Sequence, residues 1–592
     1  GFLQAAGSIG DPEIRQTILT RAEGNPFFLE ELIRAVRDAR VRSVHDLSDI
    51  PQTLQAVVAA RIDSLAPAAK RVLQRAAVIG RTFSETILAH VCDQSERRNL
   101  EEALEELCRR NFIEPEQIDF SAASDRRYVF HHAITQEVAY QGLLHATRRK
   151  WHRVTGEAIE ALSPDQLHEL SGILGRHFEK AGVRDKAVAY FVRAAERARA
   201  VFSNLEAIDF YRSALSQTEG TLEMAKGVSI RFLHESLGDV LILNGQFEAA
   251  HDELERAHRL VGEDRVSRSR LGRKLGATWV HRREYDKGFA DFDRAQKELE
   301  SEASELGADW WNEWVQIQHE RMHLFYWLGR CSELNALAAV VEPQLEKHGT
   351  TMQRGKFFMM RALSLLSEHR YAPPPLAAEF AERAVAITSD SDSPTDLVHL
   401  KFVLGLVRLF RGTFASSISE LNDALEMSER VGDLVLQVRC LTYLAVAHRQ
   451  ADQPPLSRDY AERATALAGK LGMVHYTAMA HATFAWLAWK GGDYPAVKKS
   501  ASEALKQWHS MADPYGFDWM ALWPLIAVAH AERNFDEAVT RLRALFGPNQ
   551  HPLPEEVTLA VQKAIAAAGK RSGDVDHLIV HALDVARSSH QL

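Results

Sequence analysis

A repeated spacing of small residues constrains the fold of this chain more than any other feature. In each of five segments a small residue is followed, 19 positions later, by an alanine. The units that begin at residues 405, 445 and 485 are 40 residues apart (445 − 405 and 485 − 445). Small residues at a fixed period of this length predict stacked pairs of antiparallel helices. The five pairs are Gly238 and Ala257, Gly276 and Ala295, Gly405 and Ala424, Ala445 and Ala464, and Ala485 and Ala504.

The repeat predicts a mainly α fold in which an α-solenoid superhelix occupies residues 165–592. Such a superhelix presents a long concave surface, and each of its repeats contacts only its neighbours. The pattern favours a surface that binds a protein or a small effector over a compact catalytic core.

Composition sets the class of protein and its compartment. The chain has 592 residues, of which 46% are hydrophobic and 26% are charged, and this is typical of a soluble protein with at least two domains. Its formal net charge of −9 gives no electrostatic reason to expect nucleic acid or an anionic membrane as a partner. Four scattered cysteines, Cys92, Cys108, Cys331 and Cys440, suit a reducing compartment.

The start of the chain indicates a fragment of a cytoplasmic protein. No signal peptide opens the sequence, and no uninterrupted apolar stretch is long enough to cross a membrane. The chain begins at Gly1, without methionine, within a helical pattern. We therefore expect the C-terminal part of a longer cytoplasmic protein, with any output domain upstream.

Two smaller regions precede the repeat. Residues 1–48 predict two helices that meet at a sharp joint, where Gly24 ends the first helix and Asn25-Pro26 begins the second. Residues 50–150 predict a winged-helix domain, because several helices precede a small hairpin. Its expected helices are 52–65, 67–79, 84–91, 96–110 and 133–144, and its expected strands are 112–113 and 128–130.

Four segments carry a resemblance to a known family. They are Gly24-Asn25-Pro26-Phe27-Phe28-Leu29-Glu30-Glu31-Leu32, Pro51-Gln52-Thr53-Leu54 with Ala60-Arg61-Ile62-Asp63-Ser64-Leu65, Ala76-Ala77-Val78-Ile79-Gly80, and Phe130-His131-His132-Ala133-Ile134-Thr135-Gln136-Glu137-Val138-Ala139-Tyr140. Together they resemble the bacterial signal-transducing ATPases with numerous domains (STAND, AAA-type). The resemblance is to those proteins that join such an ATPase to tetratricopeptide-like repeats and a class III adenylate/guanylate cyclase. It implies that residues 1–48 are the helical lid of the ATPase.

The resemblance also implies a nucleotide site. In the family, the turn that matches Gly24, Asn25 and Pro26 lies beside the nucleotide, with the proline against the adenine. A winged-helix histidine, matched by His132, reaches the phosphates of ADP and holds the resting state. Two simpler readings stay open, namely a plain joint between helices and an interdomain histidine. The neighbouring His131 leaves open which imidazole faces the ligand.

The chain lacks a phosphate-binding loop. Its nearest approach, Gly349 to Phe357, has one residue too many between its glycines and offers Phe357 where Ser or Thr would hold Mg²⁺. We therefore expect ATP or ADP with Mg²⁺ only in the full-length parent, and no cofactor or ATP hydrolysis in this segment alone.

Residues 310–327 contain two further patterns. His319-Glu320-Arg321-Met322-His323 matches the zinc-protease motif, but it lies within a repeat helix among aromatic residues, so no metal is predicted. Six aromatic residues could anchor a partner if they are exposed, or could form core if they are buried. They are Trp310, Trp311, Trp314, Phe325, Tyr326 and Trp327.

The winged-helix pattern raises the possibility of DNA binding. By position the reading helix would be Asn99–Asn111, which carries four glutamates. Residues 51–150 contain 14 Lys/Arg and 13 Asp/Glu, a net charge of +1 (14 − 13). DNA is not expected as a partner, since a DNA-binding domain needs a basic face.

The sequence therefore predicts the regulatory and sensor part of a bacterial signalling ATPase. The repeats would bind a protein or small effector and gate nucleotide exchange, which would control an upstream cyclase. Two alternatives stay open: the sensor arm of a transcription regulator, and a nucleotide-independent scaffold for protein binding.

Overall fold

The chain divides into two compact units. In this computed structural model the described residues are 12–22, 24–38, 53–116, 125–218, 229–300, 307–389, 394–511, 516–547, 550–569 and 574–592. Unit 1 comprises Gly1–Arg197 and Arg212–Val228, and unit 2 comprises Ala198–Tyr211 and Ser229–Leu592. The motif residues Pro51 and Gln52 lie outside the described residues.

Unit 1 contains ten complete described helices and parts of two more, together with three strands. The helices are α1 (Pro12–Ala22), α2 (Pro26–Asp38), α3 (Leu54–Asp63), α4 (Pro67–Ile79), α5 (Glu85–Val91), α6 (Gln94–Arg98), α7 (Leu100–Arg109), α8 (Ala133–Gln141), α9 (His145–Leu162), α10 (Ser171–Ala181), α11 (Arg184–Ala200) and α12 (Asn204–Thr218). The strands are β1 (Thr82–Ser84), β2 (Ile113–Pro115) and β3 (Arg127–Phe130). Residues 198–200, at the end of α11, and residues 204–211, at the start of α12, belong to unit 2.

The three strands form one antiparallel sheet in the order β1-β3-β2. Thr82 pairs with Val129, and Ile113 pairs with Phe130. With α4, α5 and α7 this gives the order helix–strand–helix–helix–strand–strand, and the assignment of a winged-helix domain stays a prediction. The apolar faces of these helices and the sheet share one core around Leu73, Leu88, Leu104, Phe112 and Phe130.

The structure differs from the predicted elements at two places in this region. The expected helix 96–110 is divided at Asn99 into α6 and α7, because Asp93 and Glu96 form a capping box that starts α6 as a separate turn. Strand β1 was not predicted, since three residues are too few to show a periodicity.

Unit 2 contains eighteen further described helices that form antiparallel pairs. They are α13 (Ile230–Leu243), α14 (Phe247–Arg259), α15 (Arg265–His281), α16 (Tyr285–Glu300), α17 (Ala308–Trp327), α18 (Cys331–His348), α19 (Thr351–Glu368), α20 (Pro375–Ile387), α21 (Pro394–Phe410), α22 (Phe414–Val431), α23 (Leu434–Gln450), α24 (Pro454–Lys470), α25 (Val474–Lys490), α26 (Tyr494–His509), α27 (Trp519–Ala531), α28 (Phe535–Ala544), α29 (Glu555–Gly569) and α30 (Val575–Ser588). Each helix packs on the next one along the chain.

The odd-numbered helices of unit 2 form an inner layer. From α15 to α27 each odd-numbered helix also packs on the next odd-numbered one. In α23, 14 of 17 residues are buried, whereas α24 buries only four of 17. A layer of enclosed helices inside a layer of half-exposed ones is the solenoid that the repeat predicted.

The small residues mark the closest approach within each pair. The Oγ of Ser417 donates to the carbonyl of Gly405 at 2.8 Å, and one period later the Oγ of Ser457 donates to the carbonyl of Ala445 at 2.9 Å. A Cβ atom at Gly405 would lie 2.8 Å from Cγ of Leu421. These helices contact each other through their backbones, and the prediction from the 19-residue spacing is confirmed.

Repeats that are distant in sequence also contact each other within unit 2. The amide of Asn204 donates to the carbonyls of Val431 and Gly432 at 3.1 and 3.2 Å. A side-chain methyl of Leu471 lies 2.8 Å from the position that a Cβ atom would take at Gly245. Segments more than 200 positions apart along the chain therefore meet at two places within unit 2.

Across the described ranges, no helix combines the length and apolar character needed to span a lipid bilayer.

Candidate functional site

The turn between α1 and α2 has the geometry of a helix cap. Gly24 has a φ of +78°, a left-handed conformation that glycine adopts without strain. The Oδ1 of Asn25 accepts hydrogen bonds from the amides of Phe27 at 3.0 Å and Phe28 at 3.2 Å. Pro26 occupies the first position of α2 and has no N–H. The amides of Phe27 and Phe28 are therefore occupied by Asn25, and Asn25 is a cap residue.

The same turn exposes an apolar face. Gly24, Asn25, Pro26 and Phe27 are all exposed, and the large ring of Phe27 is 51% exposed. The ring of His132 packs against Phe27 edge to face, with centroids 5.0 Å apart. The structure thus brings His132 to the predicted nucleotide-binding turn, although His132 lies 105 positions after Phe27 in the sequence (132 − 27).

Two polar contacts, one to a carboxylate and one to a guanidinium, hold the histidine pair on α2. Nε2 of His132 lies 3.2 Å from Oε2 of Glu30, which accepts its hydrogen bond when that nitrogen carries the proton. Nε2 of His131 lies 3.4 Å from the guanidinium of Arg34, which also binds Glu30. Burial, followed by repulsion from His131, lowers the pKa of His132. A neutral His132 has a single N–H to donate, and Glu30 orients it.

A buried ion pair connects α2 to α3. Nη1 of Arg61 lies 2.5 Å from Oε2 of Glu31, and the two residues are only 4% and 1% exposed. Nη2 of Arg61 donates to the carbonyl of Arg110 at 2.8 Å. Glu31, Arg61 and His132 belong to three of the segments that carry the family resemblance. The structure joins these segments around α2.

Glu30, His131 and His132 also offer a possible cation site. One potential ligand atom from each of them lies within 4.8 Å of the others. The guanidinium of Arg34 already contacts Glu30 and His131, however, and its positive charge opposes a metal ion at the same position. The arrangement favours an ion-paired contact between helices.

The helix that by position would contact DNA, α7, exposes glutamate side chains to solvent. In α7, Glu101, Glu102 and Glu105 are exposed, while Leu104 and Leu107 face the core. A carboxylate-rich outer face repels DNA phosphates, so the structure gives no support for DNA binding through α7.

Unit 1 contains a second polar feature, a buried pair of histidines beside a cavity of about 380 Å³. Nδ1 of His152 lies 3.0 Å from Nδ1 of His177, and the hydroxyl of Tyr140 lies 2.9 Å from Nε2 of His152. Burial, followed by repulsion from His177, lowers the pKa of His152 to about 3. Burial, followed by repulsion from Lys180, lowers the pKa of His177 to about 4.

This pair predicts a loss of stability in mild acid. As the pH falls below the ordinary histidine value of 6.5, the unfolded chain binds protons that the folded pair excludes until about pH 4. The free energy of unfolding should therefore decrease through this window, by about 1.4 kcal/mol per pH unit for each histidine. Urea denaturation of the His177→Asn variant between pH 7 and pH 4.5 should show a shallower dependence than the wild type. The same substitution at the exposed His168 should leave the slope unchanged, and equal slopes for all three proteins would contradict the prediction.

In unit 2 two adjoining cavities lie against the inner helices. One has a volume of about 560 Å³ and the other of about 430 Å³. Both are lined by His281 of α15, by Glu320 and His323 of α17, and by Val435 and Arg439 of α23. The larger volume is within the range of small-molecule sites.

The aromatic residues of α17 divide between core and cavity. Trp314 and Tyr326 are only 8% and 9% exposed and belong to the core of unit 2. Trp327 is half-buried and lines the larger cavity, where the guanidinium of Arg439 lies 5.3 Å from its ring centroid. Trp327 is the member of the predicted set that faces a possible ligand.

The two tryptophans at the start of α17 already have partners within unit 2. Nε1 of Trp310 donates to the carbonyl of Leu299 at 2.9 Å. The ring of Trp311 stacks on His348 with centroids 4.1 Å apart. Both side chains are half-buried, so they offer limited area to a partner.

The residues of the zinc-protease motif lie on the cavity wall. His319 lines the smaller cavity, and neither of its ring nitrogens has a hydrogen-bond partner. The carboxylate of Glu320 lies 3.8 Å from Arg273, and burial raises its pKa. His323 packs on Trp327. The one-turn spacing thus places these polar groups on the cavity wall.

Sequence reasoning assigned no role to several residues that the structure brings together. Glu31 and Arg61 lie within the segments that carry the family resemblance. Their opposite charges were the only feature of the sequence that could have indicated an ion pair between them. Arg439 and His281 carry no motif, and only their position in the folded chain singles them out.

No family model matches the chain. An uncharacterised protein of Rhizobium meliloti (strain 1021) is 24% identical over 225 residues, which are 37% of this chain and 21% of that protein. The chain thus matches about a fifth of the length of this curated relative.

Three solved structures are similar over much of the chain at low identity. A signal transduction ATPase with numerous domains and a tetratricopeptide repeat sensor, from Pyrococcus horikoshii, has a TM-score of 0.41 and 13% identity, and the match covers 95% of this chain and 74% of that one. A Rap protein complexed with Competence and Sporulation Factor has a TM-score of 0.40 and 11% identity, with coverages of 67% and 99%. Aspartyl phosphate phosphatase F of Bacillus subtilis has a TM-score of 0.37 and 13% identity, with coverages of 62% and 97%.

Proposed function

We propose that this chain is the regulatory and sensor part of a multidomain bacterial signalling ATPase. Unit 2 binds a protein or small effector on its inner surface. Unit 1 contributes a latch, made of His132, Glu30 and the turn at Pro26, to a nucleotide site whose phosphate-binding loop lies upstream. Effector binding loosens the latch and permits exchange of ADP for ATP. The output is an upstream adenylate/guanylate cyclase, as the resemblance of the segments implies.

The observation that carries the proposal is the contact between His132 and the first turn of α2. The ring of His132 lies against Phe27 and beside Glu30, at an exposed apolar turn that ends in Pro26. An exposed proline offers a flat apolar surface to an adenine, and a neutral imidazole N–H is a suitable donor to a phosphate oxygen. Glu30 and a phosphate would compete for this same donor.

The cavities of unit 2 support the sensor role. They adjoin α15 and α17 on one side and α23 on the other, so one ligand would contact repeats more than 100 residues apart. A ligand that prefers one arrangement of these helices shifts the population toward it by its difference in affinity. We propose that such a change in the arrangement of the unit 2 helices is transmitted to the latch.

The latch is tested by ADP retention in the full-length parent protein with its phosphate-binding loop. We expect the His132→Ala variant to release a fluorescent ADP analogue about tenfold faster than the wild type, since a charge-assisted hydrogen bond to phosphate is lost. Stopped-flow displacement by unlabelled ADP measures the rate.

The matched control is the adjacent His131→Ala variant, which should retain ADP as the wild type does. A larger effect at His131 than at His132 would reassign the phosphate contact. Wild-type retention in both variants would contradict the latch and favour a nucleotide-independent scaffold.

A further inference from the structure

Arg439 is a cation of the unit 2 cavities without an acidic partner. Among the described residues, no carboxylate lies within ion-pair distance of its guanidinium, and its Nε is buried with no hydrogen-bond partner. Its guanidinium lies 5.3 Å from the ring centroid of Trp327, and Tyr476 is close enough to interact with its charge. A guanidinium held away from bulk water without a counter-charge favours an anion brought by a ligand.

The other cations around it are already paired. Arg273 lies 2.6 Å from Glu313, Lys274 lies 2.8 Å from Asp239, and Lys356 lies 2.8 Å from Asp396. Of the nearby acids, Asp433 caps α23 by accepting from the amide of Leu436 at 2.9 Å, Glu320 lies 3.8 Å from Arg273, and Glu284 lies 3.0 Å from Arg282. In the part of the chain that the structure describes, no such ion pair joins Arg439 to a carboxylate.

Neutral imidazoles surround this charge. Burial, followed by repulsion from Arg439, lowers the pKa of both His281 and His323 to about 3. Each imidazole therefore keeps a single N–H that can donate without adding charge. His319 is 7% exposed, lines the adjoining cavity and has both ring nitrogens unpartnered, so the wall holds hydrogen-bonding capacity that the protein itself does not use.

The larger cavity is lined by the charged side chains of Arg282, Arg283, Glu284 and Glu320 as well as by apolar ones. Its wall includes Trp327, Tyr285, Val435, Met473 and Met511. At about 560 Å³ it accommodates a body of one or two rings beside the polar end.

From this arrangement we infer that the larger cavity of unit 2 binds a small organic anion, with a carboxylate or phosphate group against Arg439, His281 and His323 and an apolar body against Trp327. The inference deepens the proposed function, on which it rests for its regulatory meaning, because it states which chemistry the effector carries.

The test uses the full chain and an aromatic sulfonate dye, 1-anilinonaphthalene-8-sulfonate, which combines an anionic group with an apolar body. We expect saturable binding of one dye molecule, monitored by its fluorescence. The Arg439→Gln variant should weaken binding at least tenfold, since charge-assisted hydrogen bonds are lost. Arg430→Gln, nine residues earlier on the exposed face of α22, should bind as the wild type does.

Competition experiments determine whether the anionic group of the ligand, and not only its apolar body, is needed for binding. Benzoate or phenyl phosphate should displace the dye, whichever anionic group the cavity prefers, whereas benzyl alcohol at the same concentration should not. Equal displacement by all three compounds, or wild-type dye affinity in Arg439→Gln, would overturn the inference.

A second variant tests the site even if the Arg439→Gln variant fails to fold. His323→Phe keeps the ring that packs on Trp327 and removes one donor, so we expect affinity to fall several-fold with unchanged circular dichroism. Wild-type affinity in this variant would count against the site. If anions bind as inferred but never alter ADP release in the parent protein, the proposed function fails while the binding site stands.

Discussion

Replacing Glu31 with alanine is expected to lower the free energy of unfolding of unit 1 by about 3–5 kcal/mol, because it leaves the buried charge of Arg61 without its partner. The pair is almost fully enclosed, with exposures of 1% and 4%, so water cannot replace the lost carboxylate. Amide hydrogen exchange in α2 and α3 measures the change, since these are the helices that the pair connects.

A double-mutant cycle distinguishes the ion pair from simple loss of packing. The Glu31→Leu, Arg61→Met double variant removes both charges while keeping most of the volume. We expect it to be more stable than either single variant, because apolar replacement of a whole buried pair is often neutral. Additive losses in the double variant would show that the two residues act independently.

Replacing Gly405 with valine is expected to destabilise unit 2 by about 3 kcal/mol or more. Its Cβ would lie 2.8 Å from Cγ of Leu421 and 3.2 Å from the backbone nitrogen of that residue, so the two helices would have to separate. The separation would also break the hydrogen bond from Ser417 to the carbonyl of Gly405. Urea denaturation monitored by the tryptophans of unit 2 measures the loss.

Gly469 of α24 provides the matched control. It is also a helical glycine, but it is exposed, and no atom lies within 4 Å of the position that its Cβ would take. Gly469→Val should therefore change stability by no more than about 0.5 kcal/mol. Equal losses at both positions would mean that helix propensity, and not helix contact, explains the glycine at 405.

The sequence predicted those features of the fold that depend on spacing along one helix or one hairpin. The 19-residue spacing located the contact of Gly405 with its partner helix, and the cap at Asn25 followed from residue type. The solvent exposure of the aromatic residues of α17 could not be predicted from their spacing along the sequence. Trp314 and Trp327 lie on the same helix, and the neighbouring repeats decide that one is core and the other lines a cavity.

The candidate site was predictable only where local motifs mark it. His132 and Pro26 were identified through the segments that resemble a family, and the structure packs the His132 ring against Phe27, the residue after Pro26. Glu31 and Arg61 are 30 residues apart (61 − 31), so their pairing depends on the packing of α2 on α3. Arg439 is distinguished by lacking an acidic partner among the residues that the structure describes, which is a property of its three-dimensional surroundings.

We propose that occupation of the unit 2 cavity releases the latch in unit 1. The most direct measurement is the rate of ADP dissociation from the full-length parent protein, with and without saturating phenyl phosphate or benzoate. We predict that an anion that binds accelerates release by about fivefold or more, within the usual range of allosteric coupling, and that Arg439→Gln abolishes the acceleration but leaves the basal rate unchanged. An unchanged rate of ADP dissociation with the cavity demonstrably occupied would contradict the account.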